Sequence, residues 1–228
     1  MSAEHLTLPL FPLNTVLFPG MTLPLRVFEP RYLQMVQDCL QGKYGAGDPI
    51  LGVVLIKEGE EVGGPAVPHM VGTTARIIAV ERQSQDILHV TTVGEERFII
   101  HSLSQDRPYL VGDVEPFPLD QGTQSQVAPL FELESLLLAA YLELLSDAHS
   151  VEIRLLQAPE NAEEMAYLVA ALLQVSLPAK QELLSLASLP EMLQRGTTLL
   201  RSDISALTVM LRGENILDRE DRSRLSTN

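Results

Sequence analysis

The stretch LPLFPLNTVLFPGMTLPL, residues 8–25, constrains the chain more than any other, because it is apolar, uncharged and interrupted by four prolines. With the residues just before it, it runs uncharged for about the 20 residues that would cross a bilayer as a helix. Pro9, Pro12, Pro19 and Pro24 would each cost roughly 3 kcal/mol inside a helix, and Gly20 about 1 more, so a continuous helix is excluded. A secretory signal needs a basic start and an unbroken apolar run, whereas the first base here is Arg26, beyond the stretch. What remains is extended chain in a folded core. Residues 6–10, 15–18 and 22–28 read as short strands, with Pro19-Gly20 as a turn and the prolines confined to strand ends or sheet edges.

At Glu29-Pro30 the pattern changes. Proline suits the first helical position, and Tyr32, Met35, Val36, Cys39 and Leu40 then recur at helical spacing, predicting a helix over 30–41 that Gly42, Gly45 and Gly47 end. ILGVVLI at 50–56 reads as a buried strand and 57–70 as a loop. Residues 71–82, 86–94, 96–103 and 109–116 follow as closely spaced strands, the pattern of a small barrel or sandwich with the helix at one end. Beyond Pro118 no strand pattern recurs. DQGTQSQVAP, 120–129, reads as a linker, followed by a leucine-rich helix over 127–146 and a helix capped by Asn161 and Glu164. A third helical stretch begins at Ala179 and bends or breaks at Leu189-Pro190. A last helix carries Leu200, Ile204, Leu207 and Leu211, and the polar end of the chain reads as a solvated tail. The expected organisation is an α+β chain: strands with one helix over 1–118, a linker at 119–126, helices over 127–212 and a tail over 213–228.

Charge narrows the function. The net charge of −14 is spread over both halves, with 14 acids and 8 bases in residues 1–117. Nucleic-acid binding draws its affinity from Lys and Arg on phosphates, and anionic membrane surfaces attract the same side chains, so neither partner is expected. The one cysteine, Cys39, falls inside a predicted helix and reads as a buried space-filler in a chain suited to the reducing cytoplasm. Gly42-Lys43 lacks the rest of a P-loop, the five histidines form neither HxxxH nor HExxH, and GxSxG is absent. His89 and His101 read as structural histidines on strands, and Glu60-Glu61 and Glu95-Glu96 as solvated turn charges. No catalytic residue, cofactor or metal site is expected.

The run LPLFPLNTVLFPGMTLPLRVFEPRYLQMV resembles the start of the Lon protease N-terminal, substrate-recognition domain: a Leu-Pro-Leu strand, a Val-x-Phe-Pro-Gly turn, a Pro-Leu strand and a helix. ILGVVLI, VGTTARI at 71–77 and VTTVGEERFII at 90–100 continue it, with Gly94, Arg97 and Phe98 on the Gly-x-x-Arg-Phe pattern. LPAKQELL at 177–184 matches the segment before the last helices. The resemblance covers roughly residues 6–212 and implies a PUA-like β pseudo-barrel followed by an all-helical C-terminal bundle. It also implies a stand-alone, non-catalytic module, without the ATPase and Ser-Lys peptidase segments, that binds unfolded or exposed peptide segments or a partner protein. The proline turn and its neighbours, Phe18, Pro19, Met21, Phe28, Tyr32 and Met35, are the expected binding surface. The alternatives are a homo-oligomeric scaffold built through the leucine-rich helices and, against the charge, an RNA-binding barrel.

Overall fold

The computed structural model describes residues 5–44, 47–64, 66–84, 86–153, 155 and 157–225, with side chains as far as Leu211. Gly45, expected to help end the first helix, lies outside the described residues. The chain folds as two compact units: residues 1–120 with 176–188, and residues 121–175 with 189–228.

The first unit contains strands β1 (Leu6–Leu13), β2 (Thr22–Val27), β3 (Ile50–Gly59), β4 (Ala66–Pro68), β5 (Val71–Ser84), β6 (Ile87–Ser104) and β7 (Leu110–Pro116), with helices α1 (Pro30–Leu40) and α4 (Leu177–Leu184). The pairing order β1-β7-β6-β5-β3 returns to β1, so the strands close on themselves as a barrel; β2 pairs with β6 and β4 with β3. Strand β1 switches partners at Leu10, running antiparallel to β7 over 6–10 and parallel to β3 over 10–13. Pro9 and Pro12 therefore each fall where the strand is paired on one side alone, and a missing N–H there need break no ladder bond.

Residues Leu8 to Leu13 are buried on both strand faces, which is why this part of the sequence reads as a continuous apolar run. Leu8 and Leu10 join Val54, Phe98, Ile100 and Val114 in one cluster. Phe11 and Leu13 point the other way, to Tyr32, Met35, Val36 and Cys39 of α1.

The Gly94, Arg97, Phe98 pattern acquires a physical meaning on β6. A Cβ on Gly94 would lie 2.5 Å from the Phe18 carbonyl oxygen, so only glycine admits this approach. Backbone bonds clamp it: Gly20 N donates to Gly94 O at 2.8 Å and Gly94 N donates to Met21 O at 2.9 Å. Arg97 is buried, with Nη1 donating to the carbonyls of Leu184 (2.7 Å) and Leu186 (2.6 Å) and its guanidinium 4.8 Å from the Phe117 ring. The last carbonyl of α4 and one in the turn just after it are thus satisfied by a buried cation. Gln181 Nε2 adds a bond to Val71 O at 3.0 Å.

The second unit packs α2 (Gln124–His149), α3 (Ala162–Leu172) and α5 (Leu189–Leu225). Asn161 caps α3 as expected, accepting from Glu164 N while its Nδ2 donates to Glu164 Oε1. Glu134 of α2 is fully buried, both carboxylate oxygens lack a partner among the described residues, and a Cβ on Gly196 of α5 would lie 2.6 Å from Oε1. Burial alone pushes its carboxyl up to about 8.

Several boundaries differ from the sequence expectations. Residues 15–18 are not a strand: they cross between strands buried, with the Leu17 carbonyl satisfied by the Thr73 hydroxyl at 2.6 Å. The expected strands at 86–94 and 96–103 are one strand, because Glu95-Glu96 is a bulge in β6 whose Glu96 backbone exchanges hydrogen bonds with Thr74 Oγ1, rather than a turn. The loop expected over 57–70 includes the end of β3 and all of β4. Helix α2 begins inside the expected linker because Gln126 Oε1 turns back to accept from Thr123 N at 3.0 Å. Helix α4 starts at Leu177, not Ala179; the break lies at 185–188, and Pro190 sits in the first turn of α5, where its missing N–H costs nothing. The backbone of the expected tail continues α5 to Leu225.

Two stability measurements check this account. Replacing Arg97 by Ala strands two carbonyls in the interior, and urea unfolding is expected to lose about 3 kcal/mol. Glu134 stays protonated in the fold after it has ionised in the unfolded chain, so stability falls as pH rises from 4.5 to about 8. Glu134→Gln is expected to flatten that decline, by on the order of a few kcal/mol across the window; a slope the same as the parent's contradicts the assignment.

Candidate functional site

Strand β2 pairs with β6 alone among the described strands, so one of its edges is left without a strand partner. Which backbone groups face that edge follows from Pro24. Proline has no N–H, so Pro24 opposite Thr91 cannot be a pair that exchanges two hydrogen bonds; its neighbours Leu23 and Leu25 must be. The Met21 carbonyl, at the same parity, does accept from β6. The carbonyls of Thr22, Pro24 and Arg26 and the N–H groups of Thr22 and Arg26 therefore point to the open side. The residues of this parity are exposed, whereas Leu23 and Leu25 pack partly into the core.

Along that edge lies a cleft of about 330 Å³ between β2, the end of β1 and the start of α1, at the small end of the range for ligand pockets. Phe11 and Tyr32, with ring centroids 4.3 Å apart, supply buried aromatic surface; Phe28 and Val62 are exposed large apolar residues on its rim. The acids beside the cleft are engaged. Glu29 pairs with Arg31 at 3.0 Å and accepts from Gly63 N, and Glu61 accepts from Asn14 N. Arg31 Nη1 also donates to Gly64 O, which ties the loop over 61–64 to the helix start. Arg26 makes no ion pair among the described residues; its guanidinium lies 5.6 Å from the Phe28 ring. The site thus offers backbone donors and acceptors in a row, an apolar floor and one available cation.

The six expected surface residues divide. Phe18 and Met35 are completely buried and Tyr32 is 5% exposed, so these three are core, with Tyr32 reaching the cleft only as floor. Pro19 and Met21 are half-buried, and Met21 Sδ accepts from Phe18 N inside its own turn instead of facing outward. Phe28 is exposed beside the cleft. The prolines mark these strands for sheet edges in the sequence, and β2 is such an edge; the Glu61-Val62 loop beside it carries no sequence signal of its own. Of the leucines of α2, Leu138 and Leu145 are buried, Leu137, Leu142 and Leu144 half-buried and Leu136 exposed. No described helix is long and apolar enough to cross a membrane.

A family model described as the substrate-binding domain of ATP-dependent protease La (LON) matches residues 7–202. Similar curated proteins include a Lon protease of Flavobacterium johnsoniae, 28% identical over 84% of this chain and 24% of its own length, and Lon protease 2 of Myxococcus xanthus, 29% identical over 80% and 22%. The chain spans about a quarter of the length of these relatives. The crystal structure of a Lon N-terminal domain protein from Xanthomonas campestris is similar with a TM-score of 0.60 and 29% identity, covering 83% of this chain and 95% of that one. The N-terminal domain of Mycobacterium avium complex Lon protease shares the fold, with a TM-score of 0.62 at 17% identity.

The division of the aromatic residues is measurable. Tyr32→Ala removes a buried ring and is expected to cost about 3–5 kcal/mol, whereas Phe28→Ala should stay within about 0.5 kcal/mol of the parent. Equal costs in urea unfolding would contradict the placement of Phe28 on the rim.

Proposed function

This chain belongs to the family of substrate-binding domains of ATP-dependent protease La (LON), and on that premise we propose that it binds exposed, extended segments of unfolded proteins by adding them as a strand to the open edge of β2. The observation that carries the reading is the unpaired edge lying directly along the cleft. An extended peptide gains main-chain hydrogen bonds from the edge, independent of sequence, and gains selectivity by placing alternate apolar side chains in the cleft. Folded proteins keep their backbone groups paired internally and offer neither. Unfolded chains offer both.

Pro24 shapes this edge. It removes the central donor, which blunts growth into open-ended sheets, yet leaves three outward carbonyls for incoming N–H groups. Phe28 and Val62 cover an apolar side chain on one flank, and Arg26 meets a carboxylate or the peptide's own carbonyls. The role is binding without bond cleavage, in the cytoplasm, as the charge and the single cysteine suggest. Any polypeptide-degrading activity belongs to the longer relatives and is not carried by these residues.

A labelled peptide of alternating valine and serine, followed by fluorescence anisotropy, tests the reading. Thr22→Pro deletes an outward N–H and leaves the β6 ladder intact, so affinity is expected to fall about tenfold, the worth of one good hydrogen bond. The same peptide N-methylated at alternate residues should lose binding to the parent chain, a result that needs no variant to fold. Undiminished binding in both arms would exclude strand addition at β2.

A further inference from the structure

On the outer face of β1, β7 and β6 the fold gathers four groups that the sequence scatters over 110 positions: His5, His101, Asp113 and Glu115. Leu6 pairs with Val114, which places His5 opposite Glu115, and the β6–β7 register slips between Ile100 and Ser102. His101 is the extra residue of that slip. Bulges re-aim a side chain, and this one turns the imidazole onto Glu115, with Nε2 2.7 Å from Oε2. His5 Nδ1 lies 3.2 and 3.3 Å from the two carboxylate oxygens of Asp113, and the two imidazole rings stand 5.0 Å apart. One ligand atom from each of His5, His101 and Glu115 falls within 4.8 Å of the others.

We propose that His5, His101 and Glu115 form a binding site for a divalent transition-metal ion of the Zn²⁺ type, with Asp113 as the carboxylate that orients His5. Two imidazoles and a carboxylate suit zinc, nickel or copper, while calcium and magnesium require all-oxygen sets. Asp113 accepting from Nδ1 keeps the His5 proton on that nitrogen and leaves the Nε2 lone pair free for metal, the usual carboxylate–histidine–metal relay. Zinc–nitrogen and zinc–oxygen bonds of about 2.0–2.2 Å need the ligand atoms roughly 3.3 Å apart, and all three side chains are at least partly exposed and free to rotate that far. The ion takes the place of the hydrogen between His101 and Glu115: the neutral ring shifts to its Nδ1–H tautomer and presents Nε2 to the metal, so no proton is left over. Water completes the shell. Bound there, the ion ties the entry of β1 to β6 and β7 from outside the barrel.

Isothermal titration of ZnCl₂ into the full chain is the test. One site of micromolar affinity is expected, weakened at least about tenfold by His101→Ala and by Glu115→Gln, and about tenfold or more by Asp113→Asn, the usual cost of losing an outer-shell carboxylate. His89→Ala, an exposed histidine elsewhere on β6, should bind as the parent does. Zinc should also raise the melting temperature of the parent, reversibly with EDTA, and not that of His101→Ala. Absence of binding by the parent at about 1 mM zinc, or equal binding by His5→Ala/His101→Ala, overturns the site.

Discussion

The approach of the Phe18–Met21 turn to Gly94 is the constraint on which the arrangement of the first unit depends. It joins the proline-rich start of the chain to the middle of its longest strand, and the two backbone bonds across it set the register of β2 on β6. Register decides parity. Once Met21 and Leu23 face β6, Thr22, Pro24 and Arg26 must face outward, and the open edge, the cleft and the cation on its rim follow. A side chain at Gly94 would force the turn away and unseat that strand.

Three buried charged residues show how differently the units treat polarity. Arg97 is buried with acceptors: the last carbonyl of α4, the Leu186 carbonyl in the turn after it, and an aromatic face. Asp38 is likewise buried with donors. Burial pulls its carboxyl upward, but Lys43 at 2.6 Å and the Tyr109 hydroxyl at 2.6 Å prevail and hold it below the usual carboxylate range. Glu134 has neither donor nor cation among the described residues, and burial pushes its carboxyl up to about 8. In the strand unit, then, buried charge fastens elements together, while in the helical unit it makes packing sensitive to pH.

Much of the fold was legible in the sequence. Hydrophobic periodicity located α1, β3, β5 and β7, and the Asn161–Glu164 pair located the start of α3, because each rests on a local rule. What escaped depended on partners far along the chain. The Glu95-Glu96 bulge looks like a turn until Thr74 fills it, and α4 looks continuous with α5 until Arg97 claims its last carbonyl and that of Leu186 beyond it. The six residues expected at the surface divided for a related reason. Phe18 and Met35 are large and apolar, and composition cannot separate a core residue from a surface one, whereas Pro24 carried the edge signal in its own chemistry. The histidine cluster was invisible because pairing register, not spacing, brings its members together.

Strand addition at β2 makes a residue-level demand on the backbone itself. Hydrogen exchange measured by NMR with and without an extended apolar peptide addresses it directly. The outward amides of Thr22 and Arg26 are predicted to become protected on binding, while those of Leu23 and Leu25, already bonded to β6, stay as they were. Unchanged exchange at Thr22 and Arg26 with a peptide bound, or protection confined to another surface, would contradict the account.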